Sequence, residues 1–228
     1  DATDITKHPT GVITGIGAKH LAKPPAKIVG HLGARSTAFA NVAALKEKFD
    51  IAELRVNSKR PETRAALVSE FESKIGIAAI AVDDAESAVR DADIVIEATR
   101  LEKPEVLIRD EWLKDDCLLI TYGWIMATDP KSVLRASKVV VDDWEQCCVG
   151  GQLQPMIARG DLTRECIHGE IGEVTAGKIA GREDSDGLIV LWHRGFAISD
   201  IMLGSQILAE AKAKGVGTAV TLFDRPDE

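Results

Sequence analysis

From Lys27 to Val141 the chain alternates short aliphatic, β-branched runs with amphipathic stretches. The runs Lys27–Leu32, Glu53–Asn57, Ile77–Val82, Asp93–Ala98, Cys117–Tyr122 and Lys138–Val141 are predicted strands. They are short and mostly apolar, as strands buried on both faces of a parallel sheet are. Between them, Ser36–Phe49, Pro61–Lys74, Ala85–Arg90, Asp110–Leu113 and Pro130–Ala136 are predicted helical segments. Pro61 follows Arg60 and Pro130 follows Asp129, which places each proline in a first helical turn where its missing N–H costs nothing. Asp129 also supplies a capping carboxylate. Strand–helix steps repeated in this way predict an α/β fold with a doubly wound, Rossmann-type parallel sheet.

The flanks have a different pattern. Thr10–Ala22 reads as a helix with apolar Val12, Ile13, Ile16 and Leu21, ended by Pro24-Pro25. After the sheet comes a mixed segment, Gln152–Arg182, with a helix around Gly169–Ala176. A last strand, Leu188–Trp192, and a long helix from Phe196 to about Lys214 follow. The division expected is residues 1–24, then a sheet domain over 25–165, then 166–228, the two outer segments being parts of a second lobe wrapped around the sheet.

Composition narrows the class. Hydrophobic residues are 45% and charged ones 28% of the chain, which excludes a disordered protein. The net charge of -8 argues against nucleic acid and anionic membranes as partners, because phosphate binding needs clustered cations. No apolar run reaches the roughly 18 residues of a membrane helix. Cys117, Cys147, Cys148 and Cys166 have no metal-binding spacing, and the reading is reduced thiols of a cytoplasmic protein without a metal site.

The loop after the first strand carries candidate chemistry. Gly33-x-Arg35-x-x-Ala38 is a degenerate form of the glycine pattern that brings a dinucleotide pyrophosphate to a helix N-terminus. Gly33 would make the turn and Ala34 continue it, while Arg35 takes the place of the second glycine and offers a guanidinium instead. Ser36 and Thr37 add hydroxyls where anions are favoured. A plain structural turn is the alternative. At the end of the second strand, Asn57-Ser58-Lys59-Arg60 has no carboxylate for ribose hydroxyls. Asn57, Ser58 and Arg60 with Lys59 therefore favour NADP over NAD, the alternative being a solvated charged loop.

Several local patterns then occur in a recognisable order. They are Lys19-His20-Leu21-Ala22, Arg55-Val56-Asn57-Ser58-Lys59-Arg60-Pro61-Glu62, Asp91 to Thr99, Glu111-Trp112-Leu113-Lys114, Val139 to Asp142, His168 to Val174 and Gly195 to Asp200. Together they resemble the ornithine cyclodeaminase/μ-crystallin family over nearly the whole chain. The resemblance implies a dinucleotide-binding Rossmann domain with a substrate and dimerisation lobe, and a bound NAD or NADP. It further implies hydride transfer at the Cα of a small amino or imino acid. It places Ala98, Thr99 and Gly123 on the nicotinamide side.

The chain departs from that family in three ways. Pro9 stands where an arginine usually meets the substrate carboxylate, leaving Lys7 or His8 as neighbouring substitutes. Ile125 stands where a catalytic aspartate follows the glycine after strand five. The chain also begins almost at the lead-in helix, so the expectation is a second polypeptide carrying the N-terminal half, with such units paired as dimers. Tyr122, Trp124, Trp192, His193 and Arg194 are expected to gather near the nicotinamide. His193 is the candidate proton donor, Arg194 the candidate seat for an anionic substrate group, and Trp124 a shaping residue. His168 is expected to be structural, Cys147–Cys148 buried, and Glu170 with Glu173 a pair on a helix surface. Two alternatives stay open: a ligand- or cofactor-binding protein without catalysis, and a lyase or hydrolase reusing the scaffold.

Overall fold

The computed structural model describes residues 3–220, with the side chains of 3–7 left aside. Eight parallel strands form one sheet: β1 (Ile28–Leu32), β2 (Glu53–Asn57), β3 (Ala79–Ala81), β4 (Ile94–Glu97), β5 (Leu118–Thr121), β6 (Lys138–Val141), β7 (Gly169–Glu170) and β8 (Ile189–Trp192). Their order is β3-β2-β1-β4-β5-β8-β6-β7. The order in which successive strands are laid down therefore reverses between β1 and β4, the switch point where doubly wound sheets bind ligands. The α/β class and the Rossmann type are as the alternating pattern implies.

Side-chain alternation divides the core in two. Ile94, Ile96, Leu118, Ile120, Ile189 and Leu191 face one layer, built on α1 (Thr3–Leu21), α2 (Ala38–Lys46) and α3 (Pro61–Ile75). Val95, Leu119, Val190 and Trp192 face the other. That layer holds α4 (Ala85–Val89), α5 (Pro130–Arg135), α6 (Trp144–Val149) and α7 (Gln154–Arg159). Pro61 and Pro130 both open their helices, and Asp129 accepts from the Lys131 N–H at 3.0 Å.

Helix α1 is longer than its apolar pattern suggests and runs through Pro9. It lies very close to α2. A Cβ on Gly11 would come within 2.5 Å of the Ala40 backbone, and one on Gly15 within 2.9 Å of Ala44 Cβ. Gly11→Val is accordingly expected to cost about 2–3 kcal/mol, since neither backbone can yield without the other. A melting temperature lowered by roughly 5–10 °C is the expected reading, and an unchanged one would mean that the helices are not packed this way.

The remaining differences lie after β6. Helices α6 and α7 were not legible, being one and a half turns each and separated by Gly150-Gly151. β8 belongs to the interior of the sheet, hydrogen-bonded to β5 on one side and β6 on the other, so the sheet extends beyond residue 165. Asp110–Leu113 contracts to a 3₁₀ turn over Asp110–Trp112. Glu170 and Glu173 are not a surface pair: Glu173 accepts the Glu170 N–H at 3.0 Å at the start of α8 (Ile171–Thr175). The last helix, α9 (Ala197–Lys214), buries none of its residues and exposes Ile198, Ile201, Met202 and Leu208. Among the described residues no helix is long and apolar enough to cross a membrane.

Candidate active site

The carboxyl ends of β1, β4, β5 and β8 form a crevice, and its first wall is the loop after β1. Gly33 has φ +104°, donates its N–H to Asn57 O at 2.8 Å, and leaves no room for a side chain: a Cβ would lie 2.5 Å from Ala98 O and 3.2 Å from Thr99 N. Ala98 and Thr99 are thus brought against Gly33 at the switch point. Ala34 is partly buried, Arg35 and Ser36 are exposed, and Ala38 is fully buried at the start of α2. Arg35 therefore lies outside the turn. This is a cradle open to an anion, with peptide N–H groups at the start of α2 and a free guanidinium beside it. At the end of β2, Asn57 Nδ2 donates to Val82 O, and Ser58 Oγ bonds Thr63 Oγ1 at 3.0 Å. Lys59 and Arg60 are exposed there. Asp83, two residues past β3, is paired with Arg64.

Beneath the loop runs a buried polar chain that sequence reading had only in part. Thr14 Oγ1 donates to Asn41 Oδ1 at 3.1 Å and lies 3.2 Å from His193 Nε2. Asn41 Nδ2 donates to Tyr122 Oη at 2.6 Å and to His31 Nε2 at 3.0 Å. Tyr122 Oη shares a 2.8 Å bond with Thr37 Oγ1, which ties the start of α2 to the end of β5. Because the Thr14 proton is given to Asn41, His193 Nε2 must be the donor toward Thr14, and its Nδ1 is a bare acceptor. The His193 ring also stacks on Tyr122, centroids 4.8 Å apart. Burial drives both imidazoles toward the neutral form, His31 down to about 4 and His193 down to about 3. Neutral His193 holds Thr14 and Tyr122; it has no imidazolium proton to give at neutral pH.

On the other side of the crevice are two buried carboxylates that the sequence reading missed. Glu97, the last residue of β4, accepts from Thr99 N at 2.8 Å, Thr121 Oγ1 at 3.3 Å, Thr99 Oγ1 and Gln152 Nε2. Burial raises its pKa against those four donors. A Cβ on Gly123 would lie 2.6 Å from Glu97 Oε2, so glycine is needed where β5 ends. Asp142, just after β6, accepts the N–H groups of Arg194 at 2.5 Å and Gly195 at 2.8 Å, its pKa likewise raised by burial. The visible signal for Glu97 was a charge ending an otherwise apolar strand, Ile94-Val95-Ile96-Glu97.

Strand alternation separates the residues expected to gather. Tyr122 and His193 face α1 and α2, whereas Trp192 and Arg194 face α6 and α7. Arg194 lies with its guanidinium carbon 4.6 Å over the exposed Trp124 ring and gives Nη1 to Gln146 O at 2.6 Å. Three consecutive residues at the end of β8 each leave a buried nitrogen without a partner: Trp192 Nε1, His193 Nδ1 and Arg194 Nε. His8 is exposed and lines a surface cavity of about 520 Å³ together with Ala34, Arg35 and Ser36 of the loop after β1. Pro9 is buried and Ile125 partly buried, neither offering a polar group; the side chain of Lys7 is outside the described residues. Cys147 is buried and Cys148 partly so, and burial raises both thiols. His168 bonds Ala180 O at 2.8 Å, a structural contact. No three His, Cys, Asp or Glu side chains among the described residues converge on a metal-sized site.

Comparison with known proteins gives this geometry its context. Alanine dehydrogenase of Archaeoglobus fulgidus is 32% identical over 98% of this chain and 69% of its own length. N-((2S)-2-amino-2-carboxyethyl)-L-glutamate dehydrogenase of Staphylococcus aureus is 30% identical over 98% of this chain and 66% of its own. Among solved structures, Thermococcus litoralis Delta(1)-pyrroline-2-carboxylate reductase in complex with NADH and L-proline superposes with a TM-score of 0.89. It is 29% identical, with 96% of this chain and 68% of that one covered. An archaeal alanine dehydrogenase dimer with bound NAD gives 0.88 at 32% identity, covering 98% and 69%. The chain thus spans about two thirds of the length of these relatives. Residues 1–215 match the sequence profile of one family, and the chain belongs to it: the ornithine cyclodeaminase/mu-crystallin family.

Proposed function

We propose that this chain is the dinucleotide-binding portion of an oxidoreductase acting on a small amino or imino acid. The observation that carries the reading is the Gly33 turn, pressed against Ala98 and Thr99 at the β1/β4 switch point with the start of α2 behind it. Its relatives support it, being dehydrogenases and reductases of amino and imino acids, two of them solved with NADH or NAD. A bound nicotinamide would supply or accept the hydride. The chain's own residues would bind and orient. Gly33, Ala34, Arg35, Ser36 and Thr37 would hold the pyrophosphate, and Asn57, Ser58 and Arg60 the adenosine ribose. Ala98, Thr99 and Gly123 would form a floor of main chain on the reacting side. His193 would act by fixing Thr14 and Tyr122, the proton coming from water or from another part of the assembly.

Two finer points belong to the same proposal. Exposed Lys59 and Arg60, with no carboxylate at the end of β2, favour a 2′-phosphate and hence NADP. The uncovered apolar side chains of α9, with Val12 and Ile16 on α1, favour a further polypeptide segment or a second copy against this face. A second reading, a binding protein without turnover, is favoured by Ile125 and Pro9, which remove the usual carboxylate and arginine. Fluorescence titration with NADPH and NADH tests the first point: NADPH is expected to bind about tenfold tighter, and Arg60→Glu to abolish that preference. Equal affinities in both proteins would remove the NADP assignment, and absence of any dinucleotide binding would remove the oxidoreductase. Binding without a change at 340 nm on addition of imino acids would leave the second reading. Native mass spectrometry of the same sample reads the partner directly.

A further inference from the structure

The Arg194 guanidinium has no anionic partner among the described residues, and unlike the exposed Arg35 it is already held in place. The Arg194 guanidinium lies 4.6 Å over Trp124, its Nη1 is fixed on Gln146 O at 2.6 Å, and its backbone N–H is fixed on Asp142 Oδ2. No ion pair among the described residues involves it. What remains is the edge formed by Nε and Nη2. Nε is buried without a hydrogen-bond partner, an arrangement that costs free energy until an acceptor arrives. Space has been kept for this side chain: Gly151 has φ +106°, and a Cβ there would lie 3.1 Å from Arg194 Cδ and 2.9 Å from the Trp192 ring.

We infer that the Nε–Nη2 edge of Arg194, stacked on Trp124, is the seat of the substrate carboxylate, standing in for the arginine whose place Pro9 occupies. The inference rests on the reading of this crevice as the substrate side of a dinucleotide site. A guanidinium edge offers two parallel N–H donors at the spacing of carboxylate oxygens, which a lysine at this position would not reproduce. The buried Asp142 carboxylate beside it makes the seat a poor one for a doubly charged phosphate, so one negative charge is what it balances. The exposed face of Trp124 is left for the apolar body of the ligand, so the class of substrate is a small monocarboxylate carrying a compact hydrocarbon or ring.

Calorimetric titration of the full chain tests this, with and without saturating NADH. The probes are L-alanine and L-proline, each against its own amide, with inorganic phosphate as the competing anion. At least one acid is expected to bind some 30-fold or more tighter than its amide. Arg194→Gln is expected to remove that preference while leaving the amide's affinity unchanged, and Arg194→Lys to restore part of it. Circular dichroism and NADH binding of each variant verify that it is folded. Three results overturn the inference: no binding of either acid to a wild type that takes NADH, an acid/amide preference intact in Arg194→Gln, or tighter binding of phosphate than of the acids. A wild type that binds acids through Arg194 but takes no dinucleotide would sink the oxidoreductase and leave the carboxylate seat standing.

Discussion

Between pH 7 and pH 5 the folded protein is expected to lose roughly 4 kcal/mol of stability through two histidines, at about 1.4 kcal/mol per histidine for each pH unit below the unfolded pKa. His31 and His193 are fully buried and neutral, with folded pKa values driven down to about 4 and about 3 by burial. In the unfolded chain both titrate near their ordinary 6.5. Below that value the unfolded state binds more protons, so stability falls as the pH falls. It is fully present above about 6.5 and drains away until the folded pKa values are reached. Glu97 and Asp142 run the other way, because burial holds their carboxyl groups up and lets the folded state take the proton first. Substitution isolates the histidine part. In His193→Gln the drop in melting temperature between pH 7 and pH 5 is expected to shrink by about half, with a similar effect for His31→Gln. If both variants keep the wild-type pH dependence, the imidazoles are not buried and neutral as described.

The second large effect is at Gly33. Gly33→Ala is expected to weaken dinucleotide binding by about 100-fold or more while the domain still folds. An L-residue resists φ +104°, and its Cβ would lie 2.5 Å from the Ala98 carbonyl, which is main chain just past β4 rather than a movable side chain. Relief requires the ends of β1 and β4 to part at the place where the pyrophosphate is proposed to lie. Gly76 is the control. It has φ +63° and open space around it, so Gly76→Ala carries the strain without the collision. A stability loss of about 1 kcal/mol with unchanged nucleotide affinity is expected there. Equal nucleotide affinity in Gly33→Ala and wild type would mean that the loop does not meet the dinucleotide.

These effects also mark what was legible in the sequence. Strands β1, β2, β4, β5, β6 and β8 were legible to within a residue or two, because β4, β5, β6 and β8 are short, mostly aliphatic runs buried on both faces, and β2 alternates buried Leu54 and Val56 with half-buried polar residues. Helices α6 and α7 were not, since their caps and Gly150-Gly151 act over too short a span to leave a periodicity. The loop residues from Gly33 to Thr37 could be placed because a turn at a strand–helix junction is a local matter. The polar chain through Thr14, Asn41, Tyr122 and His193 could not. It joins residues up to 179 positions apart, and each of them taken alone resembles an ordinary core or surface residue. The expected gathering of His193, Arg194 and Trp124 failed on a simple count: adjacent residues leaving a strand point to opposite faces. Arg194 and Trp124 were brought together, and His193 was sent to the other side with Tyr122.

The position of β8 constrains the order in which the protein can be assembled. β5 and β6 are made early, yet they do not pair with each other; each is completed only by a strand that begins at Ile189, well after Thr121 and Val141. Until Ile189–Trp192 leaves the ribosome, both strands present unpaired edges of apolar sequence to solvent and to one another's neighbours. Premature pairing of β5 with β6 would close the gap that β8 must enter and strand Trp192, His193 and Arg194 outside. A chain ending before residue 189 would carry two sticky edges and lack Trp192, His193 and Arg194. The C-terminal quarter, expected from the sequence to belong to a second lobe, is therefore the keystone whose late arrival makes the earlier strands a single surface.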